Sequence, residues 1–504
     1  MELNWSSLMF CGVVLFLGYI SAQVFNLLVS FNRKFRALRK LPQLPSHWLY
    51  GHSRELNAES SKSFLDVSTR AMEELDAKVF LLWFGLFPFV HICHPDTFKQ
   101  VNHKVLTKDT SSAGPYRLLQ VFIGEGLLGS NGKKWERNRK LLTPAFHFHI
   151  LSGYVSVMNK AVDTLTDKLE TAAANGKSVD VFPYICRSAL DVLVSCSLSN
   201  EGNFQDNQNS EYINGVQRIL EIHFQRYLKP WQLIDFLFYL SPTGREMKRL
   251  CKTSRNFTET IIRTRKEELK KEPSIKEKRR LDFLDMLLTV RDEQGNGLTF
   301  EEIHDEVDTF TFAGHDTTAC TISWTMYALG LHREAQELVY QDVCDVLGNE
   351  TDVKTEHLGK FSYLTQFIKE ALRYYSPVPA FTRRNEHPIE IDGYEIPSGT
   401  GIIVQPYLIH HNKNVWQDHN EFRPERFDAD NRDDNEIYGF LPFSAGSRNC
   451  IGQVFAMNEV KITIAKLVHK FEIMKDPDHE TDIRPEIVMR PSNGIKLFLK
   501  KRQN

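Results

Sequence analysis

The sequence predicts a mainly α fold with a smaller β part, preceded by one membrane-anchoring helix. Three observations carry this reading. An uncharged run fills residues 8–30. Apolar residues recur at i, i+3 and i+4 over most of 95–375. Runs rich in β-branched and aromatic residues, bounded by glycine and proline, lie near both ends of the remaining chain. The composition, 504 residues with 42% hydrophobic and 25% charged, is that of a globular protein. A net charge of −2 gives no basic field for nucleic acid. The eight cysteines form no CxxC pair, which argues against a disulfide scaffold or a structural zinc centre.

In chain order, "LMFCGVVLFLGYISAQVFNLLVS" (8–30) is long enough to cross a hydrocarbon core of about 30 Å. Arg33, Lys34, Arg36, Arg39 and Lys40 follow it and hold that side in the cytoplasm. A cleaved signal peptide is the rival reading. The length of the run and the placing of basic residues after it, not before it, argue for the anchor. Asn4-Trp5-Ser6 is a formal glycosylation sequon close to the membrane. Residues 31–52 form a basic, proline-rich linker, and 53–504 form one catalytic domain. Within it, 79–93 reads as two strands around a turn, and 387–405 as strands with glycine turns. Residues 452–470 read as a helix and "GIKLFLKK" (494–501) as a strand. The charged run 263–280 reads as a solvated helix end and loop. The aromatic run 227–240 reads either as core packing or as an apolar lip against a membrane.

Two segments carry chemistry. "FLPFSAGSRNCIGQ" (440–453) places Cys450 just ahead of an amphipathic helix, where partial positive charge and free N–H groups favour a thiolate. Gly446 and Gly452 permit a tight loop and close approach of a flat ligand, and Arg448 adds a cation. This suits a metal-ligating thiolate and equally a redox cysteine. The second segment, 299–330, predicts one helix of about 45 Å. At its centre, "AGHDTT" (313–318) thins one face with Ala313 and Gly314. Asp316, Thr317 and Thr318 then set a carboxyl and two hydroxyls mid-helix, where they need partners. A small-residue groove with a proton-relay pair explains them, as does a polar interior satisfied by water. His315, His410, His411 and His419 fit no zinc spacing and read as structural.

Taken together, the motifs resemble those of the cytochrome P450 family. "FSAGSRNCIG" is similar to its haem-binding signature FxxGxRxCxG, and "AGHDTT" to its oxygen-activation motif. "EALR" (Glu370 to Arg373), "FRPERF" (422–427) and "WERNR" (Trp135 to Arg139) resemble its ExxR, PERF and WxxxR motifs. All five occur in the family's order. The haem loop, with "HWLYGH", "DTFTFAGHDTTA" and "HHNKNVW", resembles family 4, the fatty-acid ω-hydroxylases.

The resemblance implies a cytochrome P450 fold behind the anchor and a haem-thiolate monooxygenase. Cys450 would be the axial iron ligand, in a loop with Phe443, Gly446 and Gly452. Trp135, Arg139, Arg383 and Arg448 would bind the haem propionates. Asp316 and Thr317 would relay protons, and Glu370, Arg373 and Arg426 would form a buried structural network. Many family-4 members carry a haem-linked glutamate where this chain has Ala313, so haem b should be held here without a covalent bond. Electrons would come from NADPH through NADPH–cytochrome P450 reductase, with cytochrome b5 as a further donor. Lys133, Lys134, Arg137 and Lys140 would form part of the docking face. The implied place is the endoplasmic reticulum membrane, with a single-pass anchor and the catalytic domain in the cytoplasm. The implied substrate is a lipophilic molecule entering from the bilayer, foremost a fatty acid or eicosanoid hydroxylated at or near its end. The alternatives are a haem-thiolate isomerase or dehydratase of lipid peroxides, a xenobiotic or sterol hydroxylase, and a haem sensor without turnover. The acid–threonine pair argues against the peroxide and sensor readings.

Overall fold

Val79–Phe84 (β1) and Phe87–Ile92 (β2) pair antiparallel around Gly85, whose φ of +60° is the left-handed turn that glycine accepts without strain. The computed structural model that shows this describes residues 5–56, 62–112, 114–200, 202–207, 210–271, 281–428 and 436–502. The sheet is completed from far along the chain, in the order β1-β2-β7-β4. Gly401–Val404 (β7) lies parallel to β2, and Phe381–Arg384 (β4) lies antiparallel to β7. Val179–Asp180 (β3), Phe471–Lys475 (β8) and Lys496–Lys501 (β11) form a second sheet. Ile389–Ile391 (β5) pairs with Tyr394–Ile396 (β6), and Ile483–Pro485 (β9) with Met489–Pro491 (β10). The strands read from 79–93, 387–405 and the tail are all present. Strands β3, β4, β8, β9 and β10 were not read.

The helical body begins with α1 (Trp5–Phe35), α2 (Lys62–Leu75), α3 (Pro95–Asn102), α4 (Pro115–Ile123) and α5 (Gly132–Leu142). It continues through α6 (Phe148–Leu151), α7 (Val155–Ala173), α8 (Phe182–Ser197), α9 (Glu211–Leu228), α10 (Asp235–Leu240), α11 (Pro242–Lys271) and α12 (Phe283–Thr289). The remainder is α13 (Phe300–Leu331), α14 (Arg333–Leu347), α15 (Tyr363–Tyr375), α16 (Pro406–His410), α17 (Glu436–Gly439) and α18 (Gln453–Lys470). Among the described residues no single helix is long and apolar enough to cross a membrane, and the apolar stretch Gly12–Gln23 is a shorter one. Asn4 of the sequon and 272–280 of the charged run lie outside the described residues. The aromatic run 227–240 is not one packed helix. It breaks after α9, and Trp231, Ile234, Phe236, Leu237 and Leu240 stand exposed, Phe236 at 72%.

Helix α13 is the axis of the body and packs on α8, α15 and α18. Thr299 and Glu302 close a reciprocal capping box at its start. It stays continuous through its polar centre because the hydroxyls of Thr311, Thr317, Thr318, Thr321, Ser323 and Thr325 each donate to the carbonyl four residues back. Buried Trp324 stacks on Tyr375 at 4.9 Å and donates Nε1–H to the Met489 carbonyl at 2.9 Å. That fixes α15 and β10 against the axis. At the other end, Asp305 and Glu306 accept the N–H groups of Glu125 and Leu127, both at 2.9 Å, and pin the turn before α5.

Candidate active site

The cysteine loop is built by backbone turns. Ser444 (φ +59°) and Gly446 (φ +74°) are left-handed, and the Cys450 N–H donates to the Phe443 carbonyl at 2.9 Å. A Cβ on Gly446 would sit 2.7 Å from Asn102 Nδ2, so both space and φ ask for glycine there. A Cβ on Gly452 would stand 3.8 Å from Phe146 and 4.0 Å from Cys450 Sγ, at ordinary contact. The Cys450 side chain keeps accessible surface although the surrounding protein desolvates its thiol. Burial pushes its pKa up, while the Gly452 N–H and Arg139 pull it down. Arg139 is not in the cationic group described below. Its Nη1 and Nη2 donate to the carbonyl and side-chain oxygen of Asn449 at 2.9 and 2.8 Å, which holds its charge beside the thiol.

Three cations converge nearby, Arg383 and Lys108 buried and Arg448 half-buried. Arg448 Cζ lies 3.9 Å over the Trp135 ring, and its Nη2 donates to Ser130 O and Asn131 Oδ1. Its Nε and Nη1 are buried without a partner. Arg383 is buried against Phe381, whereas its neighbour Arg384 is half-buried and lies 3.4 Å from Asp109. Lys108, which the sequence did not single out, is buried with Nζ donating to Tyr116 Oη at 2.8 Å. Burial and then Arg383 push Arg448 down to about 9; burial, Arg383 and Arg448 push Lys108 well down. Among the described residues no carboxylate lies within ion-pair distance of any of the three. Orphaned guanidinium N–H groups and an uncompensated cluster are a cradle for a dianion, as two propionates are. The residues present therefore fit haem, with Cys450 as the ligand and Arg448, Arg383, Lys108 and Trp135 at the propionate edge.

On α13 the structure separates two residues that the sequence grouped. Gly314 faces α8, where a Cβ would meet Leu193 Cδ1 at 2.8 Å. It is a helix-packing glycine and does not widen the Ala313 face, because neighbouring residues point about 100° apart. Asp316 Oδ1 lies 2.6 Å from Nη2 of buried Arg490, while its Oδ2 is buried and without a partner. The close nitrogen does not point an N–H at the oxygen, so the contact is an ion pair and not a good hydrogen bond. Burial opposes the Arg490 charge, but Asp316, Cys320 and Glu486 outweigh it and hold the pKa above its ordinary value. Thr317 Oγ1 donates to the Ala313 carbonyl at 2.7 Å and keeps its lone pairs free. Arg490 is the second residue that the sequence reading missed; its signal was a lone arginine in an apolar run, "IVMRP".

The ExxR and PERF residues meet. Arg373 Nε and Nη2 form a fork on Glu370, both at 2.8 Å, and Arg426 Nε donates to Glu370 Oε1 at 3.1 Å. The remaining guanidinium donors reach backbone carbonyls of His410, Gln417, Asp418, His419 and Glu421. His410 stands between Ser376 Oγ (2.7 Å) and the Leu441 N–H (2.8 Å). His411 and His315 each face a backbone carbonyl, of Tyr407 and Thr311. Among the described residues no group of histidine, cysteine and acids could hold a metal ion. The basic residues of α5 are largely paired: Lys134 with Glu125, Arg137 with Asp292 and Glu302, and Lys140 with Glu293.

The family model of cytochrome P450 matches residues 41–498. Cytochrome P450 4A24 of Sus scrofa is 38% identical over 471 residues, 92% of this chain and 92% of its own. Cytochrome P450 4B1 of Rattus norvegicus is 37% identical over 492 residues, 97% of this chain and 95% of its own. Taurochenodeoxycholic 6 alpha-hydroxylase of Sus scrofa is 38% identical over 92% of each chain. With a family model over residues 41–498 and relatives of this extent, the chain belongs to the cytochrome P450 family of haem-thiolate monooxygenases and is similar to its family 4.

Proposed function

We propose that this enzyme hydroxylates a fatty acid or eicosanoid at or near its terminal carbon, with electrons from NADPH through the membrane-bound reductase. One oxygen atom of O2 enters the C–H bond and the other leaves as water, which consumes two electrons and two protons. The observation that carries a monooxygenase over a peroxide isomerase is the Asp316–Thr317 pair, with a buried carboxylate oxygen lacking a partner. An isomerase takes up no solvent protons and has no use for that pair.

When bound, haem supplies the thiolate-ligated iron at which O2 is activated. The chain's own residues do the rest. Cys450 would ligate the iron through Sγ, and the Gly452 N–H and Arg139 favour its thiolate. Arg448, Arg383 and Lys108 would hold the propionates, with Trp135 packed under the Arg448 guanidinium. Asp316 brings a proton toward Thr317, whose free lone pairs order the receiving water. The exposed ridge at 231–240 and the apolar stretch of α1 rest in the endoplasmic reticulum bilayer and leave the catalytic domain in the cytoplasm. The reductase, and cytochrome b5 in its place, docks on the α5 side. The internal ion pairs there make that attraction weaker than the count of lysines and arginines suggests.

The test is product analysis with purified protein, reductase, NADPH and fatty acids of several chain lengths. Hydroxyl at the terminal or adjacent carbon is the expected result. A second reading has a specific support, since the bile-acid hydroxylase relative is as similar as the 4A24 relative. Oxidation of a steroid acid with no oxidation of any fatty acid would replace the first reading by the second. Haem itself is held without a covalent bond, because Ala313 carries no carboxyl to form an ester. Acidified organic solvent should therefore strip all haem from the turned-over enzyme, while Ala313→Glu should retain a fraction. Haem that resists extraction from the unaltered protein would overturn this.

A further inference from the structure

Behind the Asp316–Arg490 pair lies a polar recess of about 270 Å³, walled by Arg218, Glu221, Arg484, Glu486, Arg490 and Ser492. It has room for several waters, at about 30 Å³ each. Arg218 and Arg484 on its rim reach solvent, and Arg218 is committed to Glu221 and Glu246. Glu486 and Arg490 are both buried at its inner wall. Asp316 is the carboxylate in ion-pair contact with Arg490, while Glu486 lies beyond that distance, nearest to Arg484, and acts on the Arg490 charge through space. Asp316 of α13 faces the catalytic side, and Glu486 of the β9–β10 turn faces the recess. Arg490 Nε and Nη2 and Asp316 Oδ2 are all buried without a hydrogen-bond partner. An arginine engaged by Asp316 alone would be stranded whenever that carboxylate moved, a strongly unfavourable state.

We propose that Glu486 is a positioning residue for proton delivery. Buried on the same recess wall, its carboxylate compensates the Arg490 charge when Asp316 leaves the guanidinium and turns toward Thr317, and the recess supplies the water that recharges Asp316. Over one cycle the Asp316 carboxylate takes a proton from recess water and gives it toward Thr317, and a solvent proton entering the recess neutralises the hydroxide left behind, so no side chain ends with a changed charge. The groups acting on Glu486 are Arg490 and Arg484, the latter 4.0 Å away, which favour the carboxylate, and Glu221 on α9 and Asp316 on α13, which oppose it. Burial is the largest influence and carries Glu486 up to about 7. Above that pH Glu486 is charged and compensates the guanidinium; below it Arg490 relies on Asp316 and holds it.

The proposal rests on the monooxygenase reading for its turnover readout, so the experiment has a second readout that needs no turnover. Infrared carboxyl bands of the resting holoenzyme are followed from about pH 5 to about pH 9. The Asp316 band, assigned by its loss in Asp316→Asn, should shift as Glu486 titrates, and Glu486→Gln should abolish the shift. In turnover, product formed per NADPH should rise with pH through about 7 in the unaltered enzyme. It should be flat and about tenfold lower in Glu486→Gln. Glu486→Asp keeps the charge and should keep the inflection; it also serves if the glutamine variant folds poorly. An Asp316 band indifferent to that titration overturns the proposal, as does Glu486→Gln with unaltered coupling and inflection. A protein that shows the band shift but oxidises nothing would overturn the monooxygenase reading and leave the Glu486–Asp316 linkage standing.

Discussion

Glu370→Gln should lower the stability of the fold by about 3–5 kcal/mol and sharply reduce the yield of haem-loaded protein. Glutamine keeps the volume and one acceptor oxygen. It removes the only carboxylate, among the described residues, in ion-pair contact with the Arg373 and Arg426 guanidiniums, which are 0% and 5% exposed. Two buried cations would then stand beside each other with neutral carbonyls as their remaining acceptors. Chemical unfolding of the purified variant measures the loss. Arg423→Ala is the control, since that side chain pairs with Asp418 at 40% exposure and should cost no more than about 1 kcal/mol. Equal losses in the two variants would mean that the network contributes no more than a surface pair.

Cys450→Ser should abolish oxidation and the thiolate signature of the bound haem, with little effect on the fold. The side chain is placed by the loop's backbone bonds and not the reverse. A serine hydroxyl stays protonated beside the same Gly452 N–H and Arg139 and offers iron no thiolate. The thiol has a raised pKa, so the unaltered protein should release a proton when iron takes the sulfur. An indicator dye in weak buffer should record that proton at neutral pH, and none for the serine variant. Release of the same proton by both would mean that Cys450 is not the ligand.

What was legible in the sequence is local. The cysteine loop, the ExxR pair and the polar centre of α13 each lie within a few residues, so spacing alone places their side chains together. Partners far apart in sequence were not legible. Arg490 meets Asp316 only because the β9–β10 pair folds back on α13, and Lys108 joins Arg383 and Arg448 from another part of the chain. The acids that neutralise the α5 cations come from residues 125, 292, 293 and 302. Strands β3, β9 and β10 hold two or three residues each, too few to show a period of two. Gly314 misled because its neighbour Ala313 invited one explanation for both, whereas the helix turns them onto different partners. The aromatic run 227–240 stayed open because aromatic content alone does not tell a core from a surface. The exposure of Trp231, Ile234, Phe236, Leu237 and Leu240 removes the reading of one packed core helix.

The bonds of His410 have a bearing on assembly. Its ring links Ser376, at the end of α15, to the Leu441 N–H, at the head of the cysteine loop, while Arg373 holds the His410 carbonyl. Phe440 is clamped beside it by Phe427 at 4.7 Å. The loop is thus tethered to the charge network by bonds within the protein itself. The conformational entropy of ordering it, about 1–2 kcal/mol for each residue fixed, is lost during folding and not on encounter with the cofactor. Preorganisation of this kind leaves the association free energy undiminished by rearrangement. It also makes the ionic network, remote from any reacting atom, a determinant of cofactor affinity.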